Sequence, residues 1–476
     1  MQQMSRRFRI LLVTGVTLWL TPLVPQAAAP ARRVNAPFFA DTVRFAEAAV
    51  FWFGRVDSSQ NYADARVAYT SQELWISLEI FDQWLWEDDS QSRPPQSLES
   101  WDAATVVLDT GTTVLGLPAT SSYRFVGELN WWRPRTDYQA AYRGNGTGWT
   151  LSSGVPFTTG TGWRGDGPNT SGADRGWAIT FRIPFSSLGL SGPPQEGTVW
   201  RLGLQVHDKD SADQAAVTNT FWPEALVRDQ PATWGQLAFG LRANPAPAVP
   251  PSAQTYMIRH KYNGAVVPDA MVGGGATCGD GLGDYFAQWG HANHTHSTTL
   301  VTQNQSDVAD WPCFSKVYVD FPLSSLPAGK EVVSATLTVY QFGGSDPSAA
   351  QPSLVQVFTV GDAWDENTIT WNNAPLAVEN VGQAWVDPIP PPVLPWPGAA
   401  RNWNLTWAVS QAYAGGQAVL RLALYEADSA YHSGKYFTSS DTGDWNEVGR
   451  PTLKVTLAEP GAVPPVTPRN LRIIRN

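Results

Sequence analysis

Charge is scarce in this chain: 16% of its 476 residues are Asp, Glu, Lys or Arg, where a soluble domain ordinarily carries about 25%. Cysteine is nearly absent, with only Cys278 and Cys313, which leaves too few ligands at too long a spacing for a cysteine-based zinc module. Beyond the N-terminal segment no apolar run approaches the roughly 20 residues that a membrane span requires. There is no G-x-S-x-G elbow, Walker A loop, H-E-x-x-H or C-x-x-C. Their absence removes the reactions that announce themselves by motif, without excluding an enzyme. What the chain does have is 43% hydrophobic residues, Gly 41, Pro 37 and Trp 23. Such a composition points away from disorder and from a helical protein, and leaves tryptophan as the excess to explain.

The N-terminus reads as an export signal over residues 1–29. Arg6, Arg7 and Arg9 precede an apolar stretch from Ile10 to Leu20, and Ala27-Ala28-Ala29 supply a small-residue cleavage site. The expected localisation is secreted or extracellular, with association to a cell surface left open and no membrane span after signal removal. Loss of that segment removes three Arg and no acid, taking the net charge from −10 to −13. An acidic surface of this kind disfavours nucleic acid and anionic membranes as partners. In an exported chain two cysteines read as one disulfide between Cys278 and Cys313; two buried free thiols are the alternative.

Pro245, Pro247, Pro250 and Pro251 make residues 243–253 a stiff linker. It divides the chain into blocks at 37–242 and 254–458, followed by a Pro-rich tail at 459–476 that looks like the start of a truncated fibronectin type III domain. Both blocks alternate with period two. Leu74, Ile76, Leu78 and Ile80 fall on one face of a strand whose other face carries Trp75, Ser77, Glu79 and Phe81. Further strand-like runs are 66–69, 104–108, 178–183, 199–207 and 236–239, then 316–321, 332–340, 354–360, 421–426 and 452–457. One short helix is expected over Asn404 to Ala414. The expected fold class is all-β: two antiparallel β-sandwiches joined by the Pro-rich linker.

Candidates for chemistry are few. Glu87-Asp88-Asp89, Asp208 with Asp210, and Asp365-Glu366 are the closest carboxylates. Neighbours along a strand point to opposite faces, which argues against a catalytic pair. The first run reads as a solvated loop, and any of the three is a candidate for a hard cation. His291, His294 and His296 form an H-x-x-H-x-H stretch, either a transition-metal site or a polar exposed loop. Of the tryptophans, 13 fall in the first block and nine in the second. Trp177, Trp200 and Trp234 accompany apolar strand runs and are expected in the core. Trp84, Trp86, Trp131, Trp132 and Trp222 stand in polar, turn-like contexts. A rigid exposed ring there would cover the C–H face of a pyranose while polar neighbours bond its hydroxyls. These five are the expected ligand-binding residues; no catalytic residue is assigned.

The first block, on Glu73-Leu74-Trp75-Ile76-Ser77-Leu78-Glu79-Ile80-Phe81-Asp82, Trp101-Asp102, the run from Trp177 to Gly189, Trp200 to Asp208 and Thr233-Trp234-Gly235-Gln236-Leu237, resembles family 9 carbohydrate-binding modules, which have a DOMON-like sandwich. That resemblance implies sugar held between aromatic side chains and, in some members, structural calcium. Related DOMON-like domains hold haem by Met and His; with no Met and only His207 in this block, no haem is expected. The second block, on the run from Val319 to Tyr340, Trp364-Asp365-Glu366-Asn367-Thr368-Ile369-Thr370-Trp371-Asn372-Asn373-Ala374-Pro375 and Arg450 to Leu457, resembles DNRLRE domains, which overlap carbohydrate-binding module family 96. Where that family commonly has a Ser-Arg-Glu-like element before its last strand, Ser439-Ser440-Asp441 stands without an arginine.

The expectation is therefore a secreted, non-catalytic protein that binds a polysaccharide or glycan. A structural or adhesive cell-surface protein, and a carbohydrate-active lyase or hydrolase with an unrecognised site, are the rival readings.

Overall fold

A computed structural model describes residues 31–461, apart from 91–93, 114–115, 131–132, 245–247, 275–284, 306–312, 346–349, 390–393 and 428–433. The signal segment, Cys278 and most of the Pro-rich tail lie outside the described residues. Cys313 is buried and disulfide-bonded.

The period-two runs form strands, and the strands form four layers. In the first half, Ala49–Asp57, Gln60–Tyr69, Glu73–Phe81, Asp174–Pro184 and Thr158–Gly165 make one antiparallel sheet in that spatial order. Val199–Asp208, Ala103–Asp109, Ser122–Glu128, Gln139–Gly144 and Trp149–Leu151 run side by side in the facing sheet. Thr218–Trp222, Gly235–Phe239 and the parallel strand Arg33–Ala36 close its edge. Between the two sheets lies a core that contains Leu74, Ile76, Leu78, Ile80, Trp177 and Trp200.

In the second half, Asp269–Gly273, Phe314–Pro322, Val419–Glu426, Ser353–Val360 and Ala377–Val386 form one antiparallel sheet. Gln254–Arg259, Thr452–Ala458, Glu331–Gly344 and Ala399–Asn404 form the other, with Lys435–Thr438 beside Glu331–Gly344. Leu337, Val339, Val357, Trp403 and Leu422 fill the core between them. The helix is Thr406–Ala414, packing Ala408, Val409 and Ala412 onto that core.

Strand Glu73–Phe81 departs from the half-buried strand expected of it. Its outward Ser77, Glu79 and Phe81 are buried as well as its inward residues, because the second half packs against the outer face of that sheet. A third apolar core fills the junction. Val50, Trp52, Val56, Tyr62 and Phe81 meet Phe314, Tyr318, Phe358, Trp371 and Tyr425. The alternation of Phe314–Pro322 explains how one strand serves two cores: Val317, Val319 and Phe321 face inward, while Phe314 and Tyr318 face the junction. The start of the linker and the residue before it lie against the second half. Arg242 sits 4.1 Å from the centre of the Trp407 ring, and Asn244 bonds Val381 O and the Trp407 N–H.

Polar groups at the junction are paired across it. Asp64, fully buried, accepts from the hydroxyls of Tyr62 and Tyr425 at 2.8 Å and from the Asn304 amide at 3.0 Å. The buried Lys316 Nζ donates to Tyr62 Oη at 2.8 Å and lies 3.5 Å from the Trp371 ring centre, with Trp52, Tyr62 and Tyr425 around it. Burial pushes the Lys316 ammonium well below the ordinary lysine value, and Asp64 pulls it partly back. Arg66 donates to Ala427 O. Asn372 reads the backbone of Val56 in both directions, at 2.8 and 2.9 Å. Asn380 does the same to Asn35, at 2.8 and 3.0 Å.

A hydrogen bond to a charged group is worth about 1.5–3 kcal/mol, and asparagine at position 64 would offer one accepting oxygen where aspartate offers two. Asp64→Asn is therefore expected to lower the stability of the whole chain, with both halves unfolding in one calorimetric transition. Two transitions, of which only one shifts, would show that the halves unfold separately.

Candidate functional site

The five tryptophans expected to face a ligand part company. Trp222 is 1% exposed and is corrected to a core residue. It ends strand Thr218–Trp222, pairs with Leu204 and packs its ring 4.3 Å from that of Phe51. Its polar sequence context misled because tertiary packing, which a local window does not show, turns the ring into the sandwich. Trp131 and Trp132 lie outside the described residues. Trp84 and Trp86 are half-buried on the loop that follows strand Glu73–Phe81.

That loop is held by acids from several strands. The Trp84 N–H donates to Asp82 at 3.0 Å and the Trp86 N–H to Asp102 at 2.6 Å. The indole N–H of Trp86 is buried without a hydrogen-bond partner. Glu87 and Asp88, read as part of a solvated loop, are buried, and only Asp89 is exposed. Asn130 donates to Glu87, and Glu128 accepts from the Asp88 N–H at 2.7 Å. The structure thus brings the Trp84–Trp86 loop against the segment that leads into Trp131 and Trp132. Burial pushes the Glu128 carboxyl up to about 9, with Asp88 and Glu87 adding repulsion.

Beneath the same loop, oxygens of Asp82, Asp208 and Asp210 lie within 4.8 Å of one another. Asp208 is 1% exposed, and neither of its carboxylate oxygens has a hydrogen-bond partner. Burial and the charge of Asp210 push it up to about 7. Burial, then Asp208, likewise raises Asp82. Asn61 donates to Asp82 at 3.1 Å, and no lysine or arginine among the described residues forms an ion pair with the three. Three oxygen-donor side chains, with both oxygens of Asp208 orphaned, fit a hard cation such as calcium.

The three histidines do not converge. His294 Nε2 meets Gly273 O, His291 reaches the Asn372 amide at 3.4 Å, and His296 alone faces carboxylates. In the run from Trp364 to Pro375, Trp371 covers Lys316, Asn372 holds Val56, and Pro375 O accepts from Tyr318. The run thus packs within the second half and reaches across the junction at Asn372 and at Trp371, whose ring lies 5.0 Å from that of Tyr62.

Two rings that sequence reasoning passed over are the exposed ones. Among the described residues, Trp445 at 70% and Trp396 at 53% are the tryptophans that stand in solvent. Their centres are 5.2 Å apart with planes at 90°, and Phe342 lies 5.2 Å from Trp396. The signal was available: Pro395-Trp396-Pro397-Gly398 and Gly443-Asp444-Trp445 set each ring among turn residues, as at Trp84. Asp444 beside Trp445 is held by Lys261 at 2.9 Å and Arg450 at 2.6 Å, which draw its carboxyl down to about 2.

The fold and these surfaces define an all-β protein of paired sandwiches carrying exposed aromatic corners. Residues 287–456 match carbohydrate-binding module family 96, a span that contains Trp396, Trp445 and Phe342. Among solved structures, the chain is similar to a family 9 carbohydrate-binding module from Caldicellulosiruptor kristjanssonii in complex with glucose. The identity is 16% over 45% of this chain and 98% of that one, with a TM-score of 0.30. A family 9 module from the same organism in complex with cellotriose gives 18% identity over 45% of this chain and 96% of that one, with a TM-score of 0.30. No curated protein matches the chain.

Loss of a buried Trp costs about 3–5 kcal/mol. Trp222→Ala is expected to lower the denaturation midpoint by an amount of that order. An unchanged midpoint would return this ring to the surface.

Proposed function

We propose that this is a secreted, non-catalytic polysaccharide-binding protein that grips its ligand with exposed aromatic rings. The observation that carries the reading is the right-angled pair Trp396 and Trp445, inside the span that matches a carbohydrate-binding family. Leaving two large indoles in water costs hydrophobic free energy that a sugar ring recovers on stacking. One ring offers a platform for the C–H face of a pyranose, and the perpendicular ring walls its edge. Asp444, Arg401 and Asp387 stand nearby in sequence to bond hydroxyls. Secretion rests on the charged, apolar and small-residue order of residues 1–29. Among the described residues no helix is long and apolar enough to cross a membrane.

A second aromatic surface, at Trp84 and Trp86, rests on the Asp82, Asp208 and Asp210 cluster. Calcium bound there would neutralise the two buried carboxylates of Asp82 and Asp208 together with that of Asp210, and fix the loop that carries the two rings.

Affinity electrophoresis across neutral and acidic glycans tests the binding. One or more glycans are expected to retard the protein, and Trp396→Ala or Trp445→Ala should each weaken that retardation by about tenfold, roughly 1.4 kcal/mol. Because both side chains are exposed, the melting temperature should hold. Failure of every glycan to retard the wild-type chain would end the proposal.

For calcium, chelation is expected to lower the melting temperature of the wild-type chain by a few degrees, by mass action on the folded state. Asp208→Asn should gain no stability from added calcium. A wild-type chain as indifferent as the variant would exclude the site.

A further inference from the structure

One corner of the second half gathers more negative charge than its protein partners balance. His296 lies on the loop before strand Thr299–Asn304, Glu366 in the run from Trp364 to Pro375, and Asp441 in the turn that follows strand Lys435–Thr438. Three segments distant in sequence thus deliver one imidazole nitrogen and two carboxylate oxygens to a common point, all within 4.8 Å of one another. His296 Nδ1 is 3.6 Å from Asp441 Oδ2 and 3.9 Å from Glu366 Oε1. These separations are longer than hydrogen bonds, which fall at about 2.7–3.2 Å. They are close to the edge of a coordination polyhedron: two ligands bonded at about 2.0–2.1 Å to a tetrahedral ion stand about 3.4 Å apart.

The carboxyls of Glu366 and Asp441 face each other, and protein donors do not satisfy them both. Asp441 Oδ2, the atom nearest the imidazole, is buried and has no hydrogen-bond partner. Behind it lies Asp269, 2% exposed, whose Oδ2 accepts from the Ser440 N–H at 2.7 Å while its Oδ1 is buried and unpartnered. Among the described residues no lysine or arginine forms an ion pair with Glu366, Asp441 or Asp269. Burial, then a hydrogen bond shared with Asp441 and the charges of Asp441 and Asp269, push the Glu366 carboxyl up to about 8. Burial and Asp441 push Asp269 up to about 7.

We propose that His296, Glu366 and Asp441 form a binding site for a divalent transition-metal ion of the zinc type, with the buried Asp269 carboxylate behind it. One imidazole with two carboxylates is the donor set that zinc accepts, whereas calcium takes six to eight oxygens. Three protein ligands leave a coordination position open. The exposure of His296, at 67% of its side chain, turns that position toward solvent. The ion ties the loop carrying Glu366 to those carrying His296 and Asp441, which flank the paired strands Thr299–Asn304 and Lys435–Thr438. It also accounts for Glu366 and Asp441, which the docking of the two halves does not use. The site is separate from the acidic cluster of the first half and does not depend on the sugar-binding reading.

The test uses the untagged full-length chain, stripped with a chelator and dialysed against zinc alone, with bound metal read by elemental analysis and affinity by calorimetry. Wild type and the first-half control Asp208→Asn are expected to take up zinc at this site with equal affinity. In His296→Gly and Asp441→Asn the affinity should fall about tenfold or more. Glycine suits the left-handed backbone at position 296, where φ is 57°, so that variant keeps the fold and carries the test even if Asp441→Asn does not. Cobalt(II) supplies a second readout, since its visible absorption in the wild-type chain should change on loss of the imidazole. A wild-type chain that binds no zinc, or a His296→Gly chain that binds it as tightly as wild type, overturns the proposal.

Discussion

The buried junction between the two sandwiches is the constraint on which the rest of the structure depends. Asp64 and Lys316 are both removed from water, and each charge is tolerated only because side chains of the opposite half surround it. Tyr62 connects them, donating to Asp64 and accepting from Lys316. The aromatic rings around the ammonium serve as its low-dielectric solvent. Such an arrangement is satisfied in one relative placement of the halves and costs several kcal/mol in any other. The apolar contacts around it supply adhesion, and the polar network supplies the register.

That register has a functional consequence. Two modules on an open proline tether would gain avidity through an effective concentration set by linker length. Here the geometry is fixed instead, because the start of the linker lies against the second half and a core closes the junction. Any ligand that touches both halves meets surfaces at a set distance, and the entropy of orienting them is lost on folding rather than on binding. The same packing explains why so many tryptophans are present. Trp52, Trp289 and Trp371 fill the junction, Trp177, Trp222 and Trp234 lie in the first half, and Trp403 in the second. The surface retains few.

Carboxylates follow the same division. Asp64 is satisfied by hydroxyls and an amide, so its charge serves the fold. Asp208, Asp269 and Asp441 keep buried oxygens with no donor, a condition native structures seldom retain without a ligand, an ion or water. The contrast depends on hydrogen-bond partners rather than on residue type.

Much of the fold was legible in the sequence, since a strand that buries one face must alternate, and alternation survives in any linear reading. The runs at 178–183, 199–207, 316–321 and 452–457 all fall within observed strands, and the short helix lies within two residues of its expected start. Strand Ala49–Asp57 went unread because both its faces are buried, which erases the alternation. The candidate site was less legible. Local context separates a polar loop from an apolar strand, but it does not say which way a ring turns: Trp222 went inward and Trp445 outward from similar surroundings. Nor does sequence spacing show that His296, Glu366 and Asp441 meet, since the loops that carry them are brought together by strands that pair far along the chain. The sequence by itself determined the all-β class and the acidic charge. Only the tertiary structure decided which tryptophans see solvent, which acids lack partners, and that the two blocks share a core, because burial and proximity are properties of packing between distant segments.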